Sequence, residues 1–200
     1  MPPAELLAAR AAHAEGRLGI AEMRQAEDRA ILGALEPQRQ VGLDVYTDGE
    51  YRRGSWLTDM AEAVEGFVPD RIEIRWRGPG GRPEGSTAHV VGSRLRQVRR
   101  LTEHESAFLK AHATGPFKMT VPSPSVFMLT SFKPGVTDRF YPTRADLLRE
   151  LVPIVRSELL ALAGEGVPYL QLDAPPVYVL RGLAGVRPSA PGRRGPRRGV

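Results

Sequence analysis

Two acids, Asp48 and Glu50, flank a single glycine at the end of the apolar run Val41–Tyr46. A third, Asp173, closes a second apolar run, Tyr169–Leu172, with Gln171 on the same strand face. Carboxylates at the C-terminal ends of short buried strands are how parallel α/β proteins present reactive groups. Gly49 lets the chain turn sharply between its two neighbours. Acids placed this way can grip an ammonium group or a metal. They can equally be solvated turn acids paired with Arg52 and Arg53, because acid-plus-glycine turns are common.

Other chemistries find less support. His13, His89, His104 and His112 are scattered, none four residues from another, and the chain has no cysteine. That removes thiolate chemistry, disulfides and the usual zinc ligand spacings. There is no glycine-rich phosphate loop and no nucleophile elbow. Pro122-Ser-Pro-Ser125 offers hydroxyls without a general base beside them in the sequence.

The acids need strands to hold them and helices to back the strands. Residues 4–15 and 20–40 carry apolar residues at helical spacing, with Gly16 as a stop and Pro37 expected to kink the second helix or delay its last turn. The strand Val41–Tyr46 follows, then a loop over 51–71 with a short helix near Leu57–Val64. Arg71–Arg77 alternates polar and apolar, Gly78–Gly81 is a turn, and a strand near Ala88–Val91 returns, predicting a hairpin. Thr102-Glu-His-Glu105 fits a capping box opening a helix through Ala111. Phe117–Val121 reads as a strand, 122–125 as a loop and 126–142 as irregular. Thr143–Asp146 opens a helix to about Ala163, interrupted at Pro153 and closed by Gly164 and Gly166. The strand Tyr169–Leu172 ends the pattern. Short apolar strands joined through helices make this a parallel α/β protein.

A hydrophobic content of 42% over 200 residues suits one globular domain or part of a larger one. No apolar window is long enough to cross a bilayer, and the N-terminus lacks the charged and apolar regions of a secretory signal, so a cytoplasmic location is expected. The net charge of +5 is local: the last twenty residues hold six arginines and no acid, and taking six from +5 leaves −1 for residues 1–180. Residues 1–180 are therefore expected to form the domain. Residues 181–200, rich in Arg, Gly and Pro, are expected to be a disordered tail. That tail lacks interleaved aromatics and a recognition module, so nucleic acid is not expected as a partner. The abrupt change near 177–181 also fits a shifted reading frame in GC-rich coding DNA, as does an excess of arginine over lysine of 25 to 3.

Taken together, Gln38–Arg53, Phe117–Pro124 and the stretch from Glu158 through Gln171-Leu-Asp-Ala-Pro175 resemble the C-terminal catalytic domain of cobalamin-independent methionine synthase, closest to its short stand-alone relatives. The resemblance spans roughly residues 15–180. It implies a (β/α)8 barrel, of which this chain would hold about the second to fourth strands plus a hairpin insertion. It implies a methyltransferase of methionine biosynthesis, moving a methyl group from methyltetrahydrofolate to a homocysteine thiolate bound to zinc. It also implies that Glu50 and Asp173 contact the amino group of homocysteine. The family's zinc ligands lie on later strands and include cysteines, so this chain is expected to be truncated and inactive alone, and to pair with a missing C-terminal half. Alternative expectations are a non-catalytic binding fragment or another zinc-dependent thiol alkyltransferase of the same superfamily.

Overall fold

The computed structural model describes residues 2–54, 58–72 and 86–174. The proposed tail at 181–200 and the hairpin tip at 78–81 lie outside the described residues. Two N-terminal helices come first, α1 (Ala4–Ala14) and α2 (Ile20–Gln40). They pack through Leu6, Met23, Ala26 and Ala30 into a small core of their own. A left-handed glycine ends α1: Gly16 N–H bonds His13 O at 3.0 Å and Arg17 N–H bonds Ala12 O at 2.8 Å. Pro37 lies inside α2, and the helix runs on through it to Gln40. One missing N–H does not outweigh the buried Ile31 and Leu35 just before it.

The expected strand at Val41–Tyr46 is not formed as such. Gly42 takes φ +71°, Gly42 N–H bonds Arg39 O at 3.1 Å and Leu43 N–H bonds Gln38 O at 3.0 Å. This is the same closure that ends α1, so residues 41–43 serve as a helix cap. Val41, Leu43 and Val45 stay exposed, and only Tyr46 pairs, in a parallel bridge to Phe117.

Helix α3 (Thr58–Ala63) leads into an antiparallel hairpin, β1 (Val64–Ile72) with β2 (Ser86–Gln97). The hairpin is real but longer than its alternation suggested, starting at Val64 rather than Arg71. A bulge between Glu65 and Phe67 breaks the period, with Gly66 at φ +105°. Helix α4 (Glu103–His112) follows without the expected capping box. Thr102 Oγ1 donates to Glu158 at 2.6 Å and Glu105 is taken by Arg53, so neither is left for the cap.

Strand β3 (Lys118–Pro122) and strand β4 (Tyr169–Asp173) pair in parallel, from Lys118 opposite Tyr169 to Pro122 opposite Asp173. Between them lie α5 (Pro124–Thr130), a 3-10 turn at Thr137–Arg139, and α6 (Arg144–Gly164). Helix α5 occupies residues expected to be irregular. Ser123 is extended at its N-cap and Pro124 sits at the first helical position, where a missing N–H costs nothing. Helix α6 opens, as expected, at Thr143–Asp146, and a capping box holds its start: Thr143 N–H donates to Asp146 Oδ2 at 3.0 Å and Asp146 N–H to Thr143 Oγ1 at 3.2 Å. The helix passes through Pro153 uninterrupted, held by buried Leu151, Ile154 and Val155. Met119 and Val121 of β3 meet Leu147, Leu151 and Leu162 of α6 in the main core. The chain is thus α/β, with Tyr46, β3 and β4 side by side in parallel.

Candidate functional site

Gln38, near the end of α2, fixes where the first acids begin. Its Nε2 donates to Thr47 O at 2.8 Å and its Oε1 accepts from Thr47 N–H at 2.9 Å. The chain then turns on two left-handed residues in succession, Gly49 at φ +68° and Glu50 at φ +57°. Glu50 is the only non-glycine residue at positive φ among the described residues. Asp48 makes the turn possible: its Oδ1 accepts from Glu50 N–H at 2.9 Å. Asp48 is 5% exposed, and its Oδ2 accepts no hydrogen bond among the described residues.

Arg53 ties this turn to the sheet. Its guanidinium grips Glu105 with two bonds, 2.9 and 2.6 Å, and reaches Thr120 O of β3 at 2.8 Å. Both partners are buried, a pairing worth keeping because loss of either would strand the other charge. Burial pushes the Glu105 carboxyl up, and the Arg53 fork pulls against it. Arg53 Nη1 also lies 3.7 Å from Glu50 Oε1. Arg52 turns the other way, to Asp28 at 2.5 Å and Glu27 at 3.5 Å, over the ring of Phe108. Of the two arginines weighed as partners for the acids, Arg53 therefore serves Glu50 and Arg52 does not.

Asp173 stands at the end of β4, where its carbonyl accepts from Ser123 N–H at 2.8 Å. Met119, Val121 and Leu170 face the helices, so Gln171 and Asp173 lie on the opposite, open face with Lys118 and Thr120. Lys118 Nζ donates to Gln171 Oε1 at 2.9 Å across that face. The structure brings Glu50 and Asp173 into one electrostatic neighbourhood, although they are far apart in sequence. Burial pushes the Glu50 carboxyl above its ordinary value; Arg53 and Lys118 oppose this, while the charges of Asp48 and Asp173 add to it. Arg53–Glu105 and Lys118–Gln171 were not singled out as pairs from the sequence. The signal was the parity of β3, where Lys118 shares a face with Thr120.

Glu158 is buried and serves the frame. It accepts from Arg100, Thr102 and the Leu101 backbone N–H, binding α6 to the start of α4. Burial alone would raise its pKa, but these donors outweigh it and hold the carboxyl below its ordinary value. The histidines stay apart: His13 Nδ1 meets Leu18 O, and His112 lies against Phe108. Among the described residues no three His, Cys, Asp or Glu side chains gather as a metal site, and the chain has no cysteine, so these residues do not fit the zinc centre implied by resemblance. No described helix is long and apolar enough to cross a membrane.

The chain is 26% identical over 170 residues to a methionine synthase of Sulfurisphaera tokodaii, covering 83% of this chain and 46% of that one. It is 27% identical over 178 residues to the uncharacterized protein YxjH of Bacillus subtilis, covering 82% and 43%. Its fold matches a B12-independent methionine synthase from Shewanella sp. W3-18-1, solved in complex with selenomethionine, at a TM-score of 0.67 and 23% identity over 80% of this chain and 44% of that one. It also matches a putative vitamin-B12 independent methionine synthase from Listeria monocytogenes, at a TM-score of 0.64 and 21% identity over 95% and 54%. The chain thus spans about half the length of the curated relatives it matches. The family described as "Cobalamin-independent synthase, Catalytic domain" matches residues 3–191, and the chain belongs to that family.

Proposed function

We propose that this chain is the ammonium-binding portion of a methionine-synthase-type barrel, covering about its second to fourth strands, with Glu50 and Asp173 holding the amino group of a homocysteine-like thiol. The observation that carries this reading is that the charge of Asp173, at the end of β4, is felt at Glu50, in the turn after the Tyr46 bridge, with β3 between them. Two like charges brought together are relieved by a cation between them. An amino-acid ammonium supplies that cation and fixes the rest of the substrate in place. Methyl transfer from methyltetrahydrofolate to a zinc-bound thiolate calls for metal ligands beyond those gathered here, so the chain binds substrate but does not turn it over by itself. The remaining barrel strands, from a C-terminal half, would complete the site.

Calorimetric titration with L-homocysteine tests this. Glu50→Gln and Asp173→Asn should each weaken binding by about 1.5–3 kcal/mol, the range for hydrogen bonds to charged groups. Unchanged affinity in both variants would overturn the assignment.

A further inference from the structure

The turn that carries Glu50 is held from outside the strand layer. Helix α1 contributes nothing to the main core: its buried Leu6 packs with Met23, Ala26 and Ala30 of α2. A cavity of about 700 Å3 opens between this pair and α4, lined by Arg10, His13 and Met23 on one side and by His104 and Phe108 on the other. One residue of α1 reaches the turn. Arg10 Nη2 donates to Tyr51 O at 2.8 Å and to Arg53 O at 2.6 Å. Among the described residues Arg10 forms no ion pair, so its guanidinium is spent on these two carbonyls. Arg52, between them, is taken by Asp28 and Glu27 of α2. The left-handed backbone of Glu50 is costly for a residue with a Cβ, and it persists only where its neighbours over-determine it. On its N-terminal side Gln38 holds Thr47 and Asp48 holds the Glu50 N–H. On its C-terminal side the holds are Arg53 N–H to Glu50 O, at 3.0 Å, and Arg10.

We propose that Arg10 is a positioning residue: by drawing the Tyr51 and Arg53 carbonyls to one nitrogen, it holds the Glu50 carboxylate at the angle that ligand binding requires. This rests on the ammonium reading above and adds a distant residue to it. Two carbonyls bound to one donor fix the peptide planes after Tyr51 and after Arg53. Without that donor both carbonyls turn to water, and Glu50 is released toward the right-handed backbone that L residues prefer. Its side chain then swings, and a charge-assisted hydrogen bond is short enough to be lost by a small displacement. Helix α1 is on this account part of the frame of the site, although it supplies no strand and no group that meets the ligand.

The test is calorimetric titration of the full protein with L-homocysteine, comparing wild type with Arg10→Ala, each with and without ethylguanidinium. Arg10 lines the cavity, so in the alanine variant the added cation has a path to the same two carbonyls. Arg10→Ala, shown folded by circular dichroism, should weaken homocysteine about tenfold. Ethylguanidinium should restore most of that affinity, and an equal concentration of potassium chloride should not. Any effect of the additive on the acids themselves is read from wild type. Should Arg10→Ala not fold, Arg10→Met keeps the apolar stem and loses both donors. It should weaken homocysteine as much and speed amide exchange at Glu50 and Arg53, whose N–H groups the turn protects, but not across Tyr169–Asp173. Unchanged affinity in either variant, or a loss that ethylguanidinium leaves in place, overturns the proposal; the ammonium reading stands without it if Glu50→Gln still weakens binding. A wild-type chain that binds no homocysteine ends the ammonium reading and this inference with it.

Discussion

Glu50 combines a left-handed backbone, partial burial and two neighbouring acids, each of which works against stability. Because its folded pKa is raised, the folded state holds the Glu50 proton more tightly than the unfolded chain does. Its contribution to stability therefore falls as pH rises from the ordinary 4.5 through the raised value. Glu50→Gln should accordingly be more stable than wild type at pH about 7, by roughly 1 kcal/mol, with the gap closing toward pH about 4. Urea denaturation at the two pH values checks this; a variant less stable at neutral pH would contradict it. Glu158 runs the opposite way. Its lowered pKa gives stability above 4.5 that is lost as pH falls through the folded value. Glu158→Gln should lose about 3 kcal/mol at neutral pH, since Arg100 and Thr102 would keep only part of their partner, and lose progressively less in acid. A constant difference across pH would show that packing rather than charge is at stake.

At the scale of elements, the helices were legible because their periodicity is long and their caps are local. Thr143–Asp146 opened the helix expected there, with a capping box, and Gly16 and Gly166 closed α1 and α6. The misreadings came from the same vocabulary used in another place. Gly42 is a cap glycine like Gly16, but the apolar residues around it, Val41, Leu43 and Val45, mimic a strand. Thr102 and Glu105 have capping-box spacing, but partners distant in sequence claim both side chains. Asp48, Glu50 and their neighbour Arg53 could be read from local sequence; Glu105 and Lys118 could not, because only the fold brings them to this turn. The start of β1 was hidden by its bulge, and this yields a prediction. A Cβ on Gly66 would lie 2.7 Å from Arg94 O, a backbone atom, in a conformation at φ +105° that L residues rarely adopt. Gly66→Ala should cost about 1–3 kcal/mol, seen as a lowered thermal midpoint. An unchanged midpoint would mean that the hairpin shifts register without loss.

The molecule as a whole presents a parallel layer with apolar side chains uncovered on both flanks. Val41 is 73% and Leu43 47% exposed on the Tyr46 side; Tyr169 is 51% and Leu172 48% exposed on β4. Parallel strands are ordinarily covered on both faces. In matched relatives the chain accounts for 43% and 46% of the length, so each of them has further chain available to cover such surfaces. The donor set predicts that this chain, dialysed against a mild chelator, retains no stoichiometric zinc by elemental analysis; retention would mean that a metal site forms from residues not grouped here. The same reasoning predicts what a complementing half does. Strand β4 pairs with β3 along one edge and has no partner strand on the other among the described residues. Adding the remaining half of a relative's barrel as a separate polypeptide should pair that edge, slow amide exchange across Tyr169–Asp173, and cover Leu172. Exchange within α1, in the separate N-terminal core, should not change. Burying two large apolar side chains contributes roughly 3–6 kcal/mol before association costs, enough for a measurable complex. Exchange that stays the same in β4, or that slows equally in α1, would show that the added half does not dock on this edge.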